Sequence, residues 1–134
     1  MMPDFKTLIE RIGVNEGFRS KPYQCSEGVW TIGHGLTWLT KEESLNILAG
    51  RISQLHLKLL DLDYYKDLPP EVQGVVIECC FQMGVTGWSK FKKAISHMKN
   101  KEFQLASHEM LDSLWAKQTP GRAKRLAQIV AEHG

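Results

Sequence analysis

Residues 16–37 read Glu16-Gly17-Phe18-Arg19-Ser20-Lys21-Pro22-Tyr23-Gln24-Cys25-Ser26-Glu27-Gly28-Val29-Trp30-Thr31-Ile32-Gly33-His34-Gly35-Leu36-Thr37. Gly17, Gly28, Gly33, Gly35 and Pro22 punctuate two short β-prone runs, 21–24 and 29–32, joined through Cys25-Ser26-Glu27-Gly28. That punctuation predicts a hairpin. Immediately upstream, Phe5, Leu8, Ile9 and Ile12 fall at i, i+3, i+4 and i+7, the stripe of an amphipathic helix. Glu16 therefore sits where helix gives way to hairpin, and a carboxyl group there can line a cleft.

Downstream, Thr40-Lys41-Glu42-Glu43 fits a capping box. Leu45, Leu48, Ile52, Leu55 and Leu59 continue a helical stripe to about residue 62, long enough to connect two lobes. Leu68-Pro69-Pro70-Glu71 then opens a helix whose interior, 75–83, is apolar nearly all round, as suits the buried centre of a larger lobe, with Gly84 and Gly87 ending it. Helices over 88–98 and 102–115 follow. The last starts at Thr119, whose hydroxyl can cap while Pro120 occupies the first turn. The first helix is expected over 3–15, with its proline early, where a missing N–H costs nothing. Periodicity alone gives a mostly helical α+β chain with one small sheet and no internal repeat.

The length of 134 residues, with 43% hydrophobic and 24% charged, fits one compact soluble unit. No apolar run approaches the ~20 residues that span a bilayer, and Met1-Met2-Pro3-Asp4-Phe5-Lys6 has no apolar signal core, so export must be supplied by something else. Of the three cysteines, Cys79 and Cys80 are adjacent within an apolar run; all three read as free thiols. The net charge is +2. The basic surplus is C-terminal: Lys90, Lys92, Lys93, Lys99 and Lys101, with Arg122, Lys124 and Arg125, could attract a polyanion such as an acidic cell wall, and Gly121-Arg122-Ala123-Lys124-Arg125 suggests nucleic acid, but a charge of +2 falls short of a nucleic-acid footprint. The five histidines show no metal-ligand spacing with cysteines or acids, so no metal and no cofactor is expected.

Glu16-Gly17, Arg19, Lys21, Tyr23, Glu27-Gly28 and Thr31-Ile32-Gly33, in that order and spacing, resemble the catalytic signature of the T-even phage lysozymes, family 24 glycoside hydrolases that cleave bacterial peptidoglycan. Leu68-Pro69-Pro70 leading to Phe81-Gln82-Met83-Gly84, and Trp115 with Gln118-Thr119-Pro120 and Arg122-Ala123-Lys124-Arg125, resemble segments of that family's C-terminal lobe. The resemblance implies a single lysozyme-like domain: a hairpin lobe at about 14–40, a linking helix at about 41–62, and a helical lobe at about 67–134 packed with helix 3–15. A cleft would separate the two lobes.

It also implies roles. Glu16 falls on the catalytic acid, which must protonate the leaving oxygen and therefore needs apolar cover to keep its proton near neutral pH. An inverting mechanism needs a second carboxylate, ~6.5–9.5 Å from the first, to activate water. Here the sequence departs from the family: that aspartate falls on Cys25. A neutral thiol is a poor general base, and the neighbouring Glu27 or apolar cover would push its pKa higher. Glu27 is the nearest alternative carboxylate. Thr31 resembles the threonine that positions the attacking water, Phe81 and Gln82 the residues lining the substrate cleft, and Arg122 the arginine facing the catalytic glutamate. A structural hydrogen bond is expected of His34, and a core position of Trp30 and Trp38.

The leading expectation is an endolysin-type muramidase that cleaves the β-1,4 bond between N-acetylmuramic acid and N-acetylglucosamine. Such an enzyme would be a monomer made in a bacterial host's cytoplasm, with the cell wall as its partner and site of action. Two alternatives stand beside it: a lytic transglycosylase working with Glu16 alone, which needs no activated water, and a wall-binding relative that has lost catalysis.

Overall fold

The computed structural model of the chain describes residues 2–134. Its elements are α1 (Phe5–Glu16), β1 (Arg19–Gln24), β2 (Trp30–Gly33), α2 (Lys41–Leu59), α3 (Pro70–Ser89), α4 (Lys92–Lys99), α5 (Phe103–Leu111), α6 (Leu114–Gln118) and α7 (Pro120–Ala131), with a 3-10 turn at Tyr65–Asp67. The fold is α+β and mostly helical, and among the described residues the sheet is one antiparallel pair, β1 with β2. The chain divides into two units, the boundary falling within α2 between Ile47 and Leu48.

In the first unit, Asp4 caps α1 by accepting from Thr7 N at 3.3 Å, so Pro3 lies before the cap rather than inside the helix. The hairpin pairs Tyr23 with Thr31 and Gln24 with Trp30, and its register shifts before Arg19 meets Gly33. Pro22, which has no N–H to give a ladder, lies within that irregular stretch. The turn closes through Cys25 N to Val29 O at 2.9 Å and Gly28 N to Cys25 O at 2.8 Å. Thr40 and Glu43 form the expected capping box: Thr40 N donates to Glu43 Oε1 at 2.9 Å and Glu43 N to Thr40 Oγ1 at 3.1 Å. Trp30 and Trp38, expected in a core, are 61% and 74% exposed. In place of the expected hydrogen bond, His34 makes an aromatic contact, its ring centred 5.2 Å from that of Phe18.

The second unit holds the apolar core, which runs from Leu59 through Tyr65, Val72, Val76, Trp88 and Met110 to Val130. Its buried polar atoms are partnered: Trp88 Nε1 donates to Tyr64 OH at 2.9 Å and Ser107 Oγ to Ala127 O at 2.8 Å. Four expectations are corrected here. Residues 75–83 are not buried all round, since Phe81 is exposed and Glu78 half-buried. Gly84 does interrupt α3, through a backbone at φ 81° and ψ 159° that L-residues avoid, but helix resumes beyond it to Ser89. The expected helix 102–115 is two helices, because Ser113 adopts an extended backbone and caps α6, accepting from Ala116 N at 3.1 Å while donating to Met110 O at 2.7 Å. Likewise Thr119 does not cap α7 with its hydroxyl, which donates back to Trp115 O at 3.0 Å. Among the described residues, no helix is long and apolar enough to cross a membrane.

Candidate active site

Glu16 is the last residue of α1. The helix stops there because Gly17 turns to φ 69° while its N–H still bonds Gly13 O at 2.9 Å, which leaves the Glu16 side chain at the junction with the hairpin. That side chain lies over Gly35, at φ 76°, so closely that a Cβ built on Gly35 would stand 2.7 Å from Glu16 Cδ. Glu16 is exposed. The apolar cover expected of an acid is therefore not supplied by the first unit.

Cys25 and Thr31 are brought together at the turn end of the hairpin. Thr31 is one of two buried polar side chains among the described residues, and its hydroxyl donates to Val29 O at 3.0 Å. Cys25 is half-buried, and its thiol has its pKa lowered, chiefly because the backbone N–H of Glu27, then that of Val29, can donate to a thiolate. Burial and the Glu27 carboxylate oppose them, and the Thr31 hydroxyl adds a weaker donor. This corrects the expected upward shift: Glu27 does repel the thiolate, but its own peptide N–H outweighs its carboxylate. A hydroxyl carries one proton, so Thr31 serves Val29 O or the Cys25 sulfur, one at a time.

In the second unit, Phe81 is 47% exposed on α3. Gln82 Oε1 accepts from Trp115 Nε1 at 2.9 Å. An indole N–H can only donate, so this bond fixes the amide's orientation and leaves its NH2 free for a carbonyl acceptor. Arg122 Nε donates to Glu78 Oε2 at 2.8 Å, leaving the terminal nitrogens of the guanidinium for another partner. Glu78 and Gln82, four residues apart, share one face of α3, so the anchors of Arg122 and the free amide are neighbours. No group of three or more His, Cys, Asp or Glu among the described residues could hold a metal ion.

A model of the phage lysozyme family matches residues 14–131, which takes in the Glu16 junction, the hairpin and the α3–α7 face. The chain belongs to the phage lysozyme family. Among its relatives, the chain is 26% identical to a probable T4-type lysozyme of Dictyostelium discoideum, the alignment covering 92% of each chain. A second probable T4-type lysozyme of that organism is 33% identical over 49% of this chain and 39% of its own length. The pre-baseplate central spike protein Gp5 of Enterobacteria phage T4 is 42% identical over 92% of this chain, which spans 27% of the spike protein.

At the candidate site a sequence reading passes over Glu78 and takes Gly35 only as hairpin punctuation. Glu78 had a signal, since a charge inside the apolar run 75–83 requires a cationic partner. Gly35 had a weaker one, a glycine after a strand, which marks a turn or a close approach without saying of what.

Proposed function

We propose that the protein is a muramidase that hydrolyses the β-1,4 bond between N-acetylmuramic acid and N-acetylglucosamine. What carries the reading is Glu16, held at the α1 terminus against the Gly33–Gly35 turn in a chain of this family. Glu16 donates its proton to the leaving glycosidic oxygen while a water adds to the anomeric carbon from the opposite face. Thr31 positions that water. Cys25 stands where the family has a carboxylate, and the backbone N–H groups around its sulfur support an anionic thiolate that takes the water's proton or steadies positive charge on the sugar. The free Gln82 amide suits an N-acetyl carbonyl, Phe81 a sugar face, and the terminal nitrogens of Arg122 a carboxylate.

The protein would act as a monomer on the wall of the bacterium whose cytoplasm makes it.

The test is clearing of exposed peptidoglycan by the protein and by Glu16→Gln. The amide cannot deliver a proton, so lysis should vanish while the fold persists. Retained lysis would sink the assignment, and binding of peptidoglycan without lysis by the unaltered protein would show a non-catalytic relative. Cys25 in the carboxylate's place favours one rival, a lytic transglycosylase, in which the muramic acid 6-hydroxyl attacks and no base need activate water. Mass spectrometry separates them: hydrolysis gives reducing ends, transglycosylation anhydro ends lighter by one water. Reducing ends are expected.

A further inference from the structure

We propose that Gly35 is a positioning residue for Glu16, the missing side chain at position 35 being the space in which the Glu16 carboxyl group lies. The inference rests on Glu16 being the proton donor, but its physical part does not. A Cβ built on Gly35 would lie 2.7 Å from Cδ and 2.9 Å from Cγ of Glu16, and against Oε2 as well. Ordinary van der Waals contact of a Cβ begins at 3.4 Å, so any other residue must push the carboxyl group aside.

Gly35 is one of five glycines with positive φ, at 76°, but the other four do not meet a catalytic side chain. Gly17, Gly28 and Gly84 face open space, and a Cβ on Gly33 would meet only Leu36 Cδ1, at 3.7 Å. Positive φ alone can be met by asparagine at modest strain. The space cannot. Two constraints thus fall on position 35, and the second acts directly on the group that must be aimed at the glycosidic oxygen. Displacing a reacting group by about 1 Å can cost ~10²-fold in rate even when binding is intact.

The experiment compares Gly35→Ala with Gly33→Ala, which suffers similar backbone strain without the collision. In urea unfolding, Gly35→Ala and Gly33→Ala should lower the midpoint by similar amounts, because the exposed Glu16 side chain can swing aside at little cost. The displacement itself is read by carbon NMR: the Glu16 carboxyl resonance should move in Gly35→Ala and stay in place in Gly33→Ala. In wall-fragment kinetics, Gly35→Ala should lose ~100-fold in kcat with KM changed only a few-fold. Gly35→Asn covers the case in which the alanine variant does not fold: it tolerates the backbone, keeps a Cβ, and should show the same kcat loss. An unmoved Glu16 carboxyl resonance, or a wild-type kcat, in a folded Gly35 variant would overturn the proposal. If the unaltered protein lyses no wall, the enzyme reading fails, while the NMR comparison still decides whether Gly35 seats Glu16.

Discussion

Cys25 differs from the pair Cys79 and Cys80 in what each offers a thiolate. Cys25 has backbone N–H groups and a hydroxyl around its sulfur. Burial pushes Cys79 up to about 12 and Cys80 up to about 11. Iodoacetamide should therefore label Cys25 alone in the native protein, with a rate midpoint lower than that of the same thiol in the unfolded chain, and intact-mass analysis should find one adduct. A second or third adduct before unfolding would contradict the burial. Restoring a carboxylate by Cys25→Asp should leave the hydrolytic rate similar or raise it; a severe loss would show the sulfur has a role of its own. The buried pair has a further consequence. An unfolded thiol ionises near pH 8.5 while the folded ones stay protonated, so stability is full below that pH and falls between it and the raised folded values. Urea midpoints at pH 8 and pH 10 should reveal the drop, smaller in Cys79→Ala. Residue identities single out Glu16 and Thr31, because both stand in a motif. They misjudged Cys25, whose thiol answers to the direction of two peptide N–H groups, a property of the folded turn.

The break between α5 and α6 shows why some elements were legible and others not. Thr40 and Glu43 announce their cap because both partners lie within four residues and belong to a known pairing. Ser113 gives no such signal: the run from Phe103 to Trp115 is helical in composition, and only a serine bonding both ways, to Met110 O and Ala116 N, splits it. The split matters at the site, because α6 carries Trp115, whose indole orients Gln82. Ser113→Ala should cost ~1 kcal/mol, as loss of a helix cap usually does. It should also weaken substrate binding through Gln82, seen as a higher KM. An unchanged urea midpoint would show that the cap is dispensable. The Glu78 to Arg122 bond joins α3 to α7 but is more than a third exposed at both ends. Its loss should cost only ~0.2–1 kcal/mol. Arg122→Ala should accordingly reduce lysis less than Glu16→Gln, since it removes an orienting partner and not the proton donor. Equal damage from both would mean those roles are wrongly divided.

At the scale of the whole molecule, the sequence made the helical unit legible through its stripes and the hairpin through its glycines. The distribution of burial was not legible: the exposed Trp30 and Trp38 look in composition like the core aromatics Trp88 and Trp115. Every buried apolar side chain among the described residues lies at Leu59 or beyond, and Thr31 alone is buried before it. Segments with few buried apolar contacts open at lower free energy than the core to which they are tethered. Backbone amides of the hairpin should therefore exchange with deuterium long before those of α3 and α7, and a protease should nick the chain ahead of residue 48 while the remainder stays intact. Uniform protection along the chain would contradict this. The glutamate proposed as proton donor would then ride on the part of the protein that opens first, and a polymer threaded past it would be gripped by a surface able to loosen and close again without the core ever unfolding.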